Sequence, residues 1–399
     1  MPGAGPEPKD SPPGSRRKRR RRIAAATAAF GALLLALGAL ASWHFSSLVL
    51  VPDHSPAFDR VDVEAVAPHR IELRRSDTTS RPGYYGLDWE EGHAIVGPVL
   101  SKAAGTVTRR LSDVRGYLVP GIEAGFDTSV YTGNPRETRH LPFRTVNVPG
   151  ELGPMPAWLI PAPGRTWAIV VHGINDGREV GLRIAPALHR AGLTSLLISY
   201  RDDLGAPSSP DGVHHMGQTE WRDLAAAVLY ARSHGAQRLI LVGYSMGGAL
   251  ISQLMERSAL AARVSALVLD APALNWRAIL EFNAERISLP GFLAFPVEWA
   301  IDVRVDPGWS SLDALEHPDD FHLPILLFHG AEDSLIPIAT SNEFARELPR
   351  WVTYYRVPHA DHVQSWNVDP ALYEHRLEDF LAGTLKALRA RPAGSGSKE

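Results

Sequence analysis

Two hydrophobic patterns divide the chain. From Ile23 to Pro52 there is no Asp, Glu, Lys or Arg, and about 20 apolar residues suffice to cross a bilayer, so this stretch predicts a membrane-inserted helix with Trp43 as an interfacial anchor. Beyond about residue 150, short runs rich in branched residues recur: Trp167 to Val171, Leu193 to Ser199, Leu239 to Val242, Ala266 to Leu269 and Ile325 to Phe328. They read as buried parallel strands. Between them lie helical patterns such as Glu220 to Arg232, which places Leu224, Val228 and Ala231 on one face. The predicted class is α/β: a doubly wound, mostly parallel sheet over residues 146–390.

Two segments depart from that rhythm. Residues 53–145 show no strand-helix alternation; Arg70 to Arg74 and Ala94 to Val99 read as strands separated by the turn-like Arg81-Pro-Gly-Tyr-Tyr-Gly, which predicts an accessory, mostly β region. Residues 274–318 carry Trp276, Phe282, Leu289, Phe292, Phe295 and Trp299 between two sheet strands. That content predicts a lid whose apolar side chains line an acyl pocket or dock on a bilayer. Residues 391–399 read as a disordered Gly/Ser tail.

Charge sharpens the picture. Residues 1–22 hold eight Lys and Arg against Glu7 and Asp10, leaving 33 of 41 basic and 42 of 44 acidic residues to the remainder. An acidic body argues against phosphate-backbone binding, so nucleic acid is not an expected partner. The Arg16 to Arg22 cluster beside the apolar span predicts a single-pass protein with a cytoplasmic basic tail and an extracytoplasmic body. Ala39-Leu40-Ala41 offers an alternative, cleavage of a signal peptide and secretion, although the apolar stretch exceeds a usual signal core. The chain has no cysteine, which removes disulfide and thiolate-metal scaffolds. His214-His215 and the His359/His362 pair lack a carboxylate at ligand spacing, so no metal is expected, and no nucleotide-binding fingerprint calls for a cofactor.

The chemistry concentrates at Gly243-Tyr244-Ser245-Met246-Gly247, directly after one strand and before a helix. This is the G-x-S-x-G elbow in the context it requires. Side chains at Gly243 or Gly247 would collide with the neighbouring strand and helix. Ser245 is the candidate nucleophile, and the backbone N–H groups of Met246 and of Ile174, in His172-Gly173-Ile174, are the candidate oxyanion donors. A serine hydroxyl needs a base. Later strand ends supply Asp333 and His362, which completes the order Ser, Asp, His. His359 stands close to its strand, two residues after Val357, and is the less suited base. Glu332 and Asp270 are the alternative acids.

Those motifs together resemble the α/β-hydrolases of the serine esterase, lipase and serine aminopeptidase type over residues 145–388. The anchor is similar to that of membrane-tethered Bem46-like hydrolases. The resemblance implies Ser245 as nucleophile, Asp333 as orienting acid and His362 as general base, acting without a cofactor on a small-molecule or lipid-like acyl substrate. Ester cleavage is the leading expectation, with peptide or thioester cleavage on the same residues, or a non-catalytic surface binding module, as alternatives. Tyr200-Arg201-Asp202-Asp203 replaces the usual Asp-x-Arg-Gly after the third strand, and the departure is expected to leave the chemistry untouched.

Overall fold

In a computed structural model, which describes residues 13–55 and 59–390, two β systems follow one long helix. The first twelve residues of the basic tail and the Gly/Ser tail from residue 391 lie outside the described residues.

The first system is a closed antiparallel barrel of β1 (Asp59–Ala67), β2 (Arg70–Arg74), β3 (Tyr85–Trp89), β4 (Gly92–Lys102), β5 (Thr106–Arg115) and β6 (Glu123–Asp127), in the order β1-β2-β5-β4-β3-β6. Inward positions alternate with outward ones: Ile71 and Leu73 on β2 and Val107 and Leu111 on β5 are buried. Charged residues fill the outward positions and break the apolar runs, which is why only β2 and part of β4 stand out in the sequence. On β5 an arginine takes an inward place. Arg109 is wholly buried and donates to the carbonyls of Gly97, Thr79, Arg81 and Gly83 at 2.7–2.9 Å. Burial pulls its guanidinium down to about 10. The carbonyls of Thr79, Arg81 and Gly83 belong to the turn at 79–83, which Arg109 thereby holds in one shape.

The second system is an eight-stranded sheet of β7 (Arg144–Pro149), β8 (Pro154–Ile160), β9 (Thr166–Val171), β10 (Thr194–Ile198), β11 (Arg238–Tyr244), β12 (Val264–Asp270), β13 (Ile325–Gly330) and β14 (Val352–Val357). Its order is β14-β13-β12-β11-β9-β10-β8-β7, with β8 antiparallel to both neighbours and the remainder parallel. Both faces are covered. On β9, Trp167, Ile169 and Val171 join one core while Ala168 and Val170 join the other, as a doubly wound sheet requires. The mostly parallel sheet expected from the sequence is therefore present, extended at one edge by the antiparallel β7–β8 hairpin.

Barrel and sheet meet at the segment after β14. The backbone of Tyr84 exchanges hydrogen bonds with Asn367, whose side chain also reaches Thr128. Gly83 sits against that segment at φ 102°, where a Cβ would lie 2.0 Å from the Asn367 carbonyl oxygen, so a glycine is required there.

The long helix, Pro13–Leu50, contains the span Arg20–Leu50, which is long and apolar enough to cross a membrane. Its final turn is embedded in the sheet domain: Leu50 is fully buried, and its carbonyl accepts from the N–H of His214 at 2.7 Å.

Candidate active site

Four loops at the carboxyl ends of parallel strands converge. Ser245 follows β11 at φ 50° and ψ −120°, a strained conformation for a non-glycine residue. It turns the chain directly into the helix Met246–Arg257. Close packing forces this turn. A Cβ on Gly247 would lie 2.4 Å from the carbonyl oxygen of Val171, and one on Gly243 would lie 2.7 Å from Ile251 Cδ1.

His362, on the loop after β14, places Nε2 2.9 Å from Ser245 Oγ and Nδ1 2.9 Å from Asp333 Oδ2. Asp333 is the buried residue on the loop after β13, and its other oxygen accepts from the N–H groups of Leu335 and Ile336. Burial pushes its carboxyl up, but hydrogen bonds and charge from His329 and His362 outweigh that and hold it well below the usual carboxylate range. The acid is thus ionised and faces the imidazole.

The other candidates point elsewhere. His359 is exposed and bonds Glu332 at 3.0 Å. Asp270 accepts from Ser365 Oγ at 2.7 Å. His214 is buried against Asn175, and His215 pairs with Asp211. Among the described residues, no group of three His, Asp or Glu is arranged to hold a metal ion.

Met246 opens its helix, so its N–H is among the four without an intrahelical acceptor. Ile174 lines the same cavity as Ser245. Its N–H belongs to the peptide that begins at Gly173, and the Gly173 carbonyl is held by two groups: Tyr200 Oη donates to it at 2.6 Å, and His172 Nδ1 at 2.8 Å. His172 Nε2 in turn faces Asp203 Oδ2 at 2.8 Å. Burial pushes the His172 imidazole down, but the Asp203 carboxylate overrides this and raises it to about 9. The residues that replace the usual motif after β10 therefore reach one peptide bond from a candidate oxyanion donor. The sequence signal was available in Tyr200 and Asp203, polar residues closing a wholly buried strand.

Chain comparisons agree with this fold. Residues 168–300 match the family model described as alpha/beta hydrolase fold, and residues 62–127 match a domain of unknown function, DUF8805. No curated protein matches the sequence. Two crystal forms of an esterase of Pyrococcus furiosus superpose with TM-scores of 0.53 and 0.51, each at 19% identity. The alignments cover 64% and 63% of this chain and 95% and 94% of that protein. With Ser245 at the elbow after β11 and the strand order given above, these matches show that the body of the chain has the α/β-hydrolase fold.

Proposed function

We propose that the protein is a membrane-tethered serine hydrolase that cleaves an ester through an acyl-Ser245 intermediate. The observation that carries this reading is the line Ser245 Oγ, His362 imidazole, Asp333 carboxylate, with both links at 2.9 Å. His362 Nε2 accepts the hydroxyl proton as Oγ bonds the acyl carbon, and the negative charge on the former carbonyl oxygen is met by the N–H groups of Met246 and Ile174. Collapse breaks the bond to the alcohol oxygen, which leaves with the proton from Nε2. Water then repeats the sequence: Nε2 takes its proton, the hydroxyl adds to the acyl carbon, and Oγ departs with that proton as the acid is released. Asp333 holds the imidazole in the tautomer that this requires.

A fluorophosphonate probe and a panel of p-nitrophenyl esters, amides and thioesters test the reading. The expected result is covalent labelling lost in Ser245→Ala, with esters the best substrates. Amides or thioesters preferred over esters would place the chain among peptidases or thioesterases, and folded protein that takes up no probe would favour a binding module. The tether is the span Arg20–Leu50, with the basic cluster on the cytoplasmic side.

A further inference from the structure

A cavity of about 540 Å³ opens from Ser245, and one of its walls is the anchor helix itself. Gly38, Ala41, Phe45 and Leu48 line it from that side, facing Ile279 and Val297 of the two lid helices, Trp276–Arg286 and Phe295–Val305. Among the described residues, no charged side chain lines the cavity. One of its few polar groups, the Asn283 amide nitrogen, is already committed to the carbonyls of Ile279 and Leu335. Such a wall suits a hydrocarbon chain.

The anchor and lid are joined as one unit. Arg304 of the second lid helix donates to Ser46 and Ser47 Oγ at 2.9 Å, and its guanidinium lies 4.7 Å from the centre of the Trp43 ring. At about 1.5 Å per residue, Arg20–Leu50 measures roughly 46 Å against a hydrocarbon core of about 30 Å. The helix therefore emerges from the bilayer before it reaches the sheet domain, and its cavity-lining residues straddle the boundary. Upstream of them the helix is uncovered by protein, with Leu35 78% exposed. On the lid, Phe292, Phe295 and Trp299 point outward at 73%, 68% and 57% exposure. These side chains do not enter the cavity, which Trp276 and Leu289 line instead. A patch of this kind beside an apolar helix of membrane-spanning length is suited to contact with lipid.

We infer that the substrate is a diacyl lipid ester of the bilayer, whose acyl chain enters sideways between the anchor and the lid to reach Ser245. This rests on the acyl-serine reading above. The ester carbon–oxygen bond of the lipid breaks as the acyl carbon bonds Oγ, and the Oγ proton passes through His362 to the lysolipid hydroxyl. Water then releases the fatty acid.

The test uses the full chain reconstituted in vesicles of dioleoyl phosphatidylcholine and dioleoyl phosphatidylglycerol. Oleate release is read against p-nitrophenyl acetate hydrolysis in the same preparation. Ala41→Trp, which fills the cavity from the anchor side, is expected to lower the oleate-to-acetate rate ratio at least tenfold. Leu35→Trp, on the same helix but remote from the cavity, should leave the ratio where it was. Ala284→Trp, from the lid side, should reproduce the fall and serves if Ala41→Trp does not melt cooperatively. Probe labelling and acetate turnover without oleate release would overturn the lipid inference and leave the hydrolase reading standing. Equal ratios in Ala41→Trp and Leu35→Trp would overturn it too. A wild-type chain that takes neither probe nor acetate removes both.

Discussion

Arg81 of the barrel and Asp361 of the sheet domain form a 2.9 Å ion pair immediately beside His362. Asp361 is mostly buried, and its other oxygen accepts from the N–H groups of Ser334 and His362 itself. A barrel residue therefore reaches the carboxylate that ties the loops of His362 and Asp333 together. Arg81 is positioned by the turn that Arg109 organises from inside the barrel, so the barrel acts as a brace on the base. Arg81→Met is expected to lower kcat several-fold with little change in KM, a loss of about 1 kcal/mol. Arg109→Leu should give a similar loss together with a lower Tm. A double-mutant cycle between Arg81 and Asp361 checks the pairing; strictly additive effects on kcat would show that the two act independently.

The second prediction concerns the reacting residues. Ser245→Ala and His362→Ala are each expected to reduce kcat by about 10⁴-fold or more, and the double variant to be no worse than either alone, because the group acts as a unit. His359→Ala should stay within about twofold of the unmutated chain, since its partner is an exposed glutamate. Steady-state rates on one p-nitrophenyl ester decide this, and a severe His359 defect with a mild His362 defect would reassign the base.

Much of this site was legible because its residues sit where strand ends must leave them. The uninterrupted apolar runs of β9, β11, β12 and β13 mark strands buried on both faces, and Ser245, Asp333, His362 and Ile174 are a few residues beyond their ends or that of β14. The barrel was harder to read: a half-exposed antiparallel strand such as β5, Thr-Val-Thr-Arg-Arg-Leu-Ser-Asp-Val-Arg, alternates polar and apolar positions, and its buried Arg109 breaks the alternation. Long-range partners left no sequence signal at all. Nothing in Arg81 announces Asp361, 280 positions later, and nothing in Ala41 announces Ser245, because both pairings are created by packing between separate elements.

The third prediction isolates the peptide between Gly173 and Ile174. With its carbonyl held by Tyr200 and His172, its N–H is fixed on the opposite side of the planar peptide. Tyr200→Phe should lower kcat about tenfold at nearly constant KM, less than the 10²–10³-fold typical of deleting an oxyanion donor outright. A change confined to KM would mean that the hydroxyl shapes the pocket instead of the donor.

A fourth prediction follows from the same cluster. Beside Asp203, His172 keeps its proton to about pH 9 in the folded chain, against 6.5 for an unperturbed imidazole. The folded state then binds more protons than the unfolded state between those values, so stability declines as pH rises through that window and is fully present below it. Tm should fall from pH 6.5 to 9 in the unmutated chain and fall less in Asp203→Asn, where the raised affinity for the proton is lost. Parallel slopes in the two proteins would refute the assignment.

The last prediction concerns the anchor. Cleavage after Ala41 would leave a mature chain beginning at Ser42, which keeps Trp43, Ser46 and the buried Leu50 but strips Gly38 and Ala41 from the cavity wall. The cavity would then open to water along one side, and its apolar lining would lose cover worth about 25 cal/mol per Å². With the helix attached the cavity wall is complete, so the mass of the protein extracted from membranes is expected to include the span from Ile23 onward. Protease added to intact cells should digest the hydrolase body and spare the segment containing Arg16 to Arg22, because seven clustered cations resist translocation. A body protected until the membrane is opened would reverse the orientation. A mature N-terminus at Ser42 would replace the anchor with a signal peptide and leave the lid facing water.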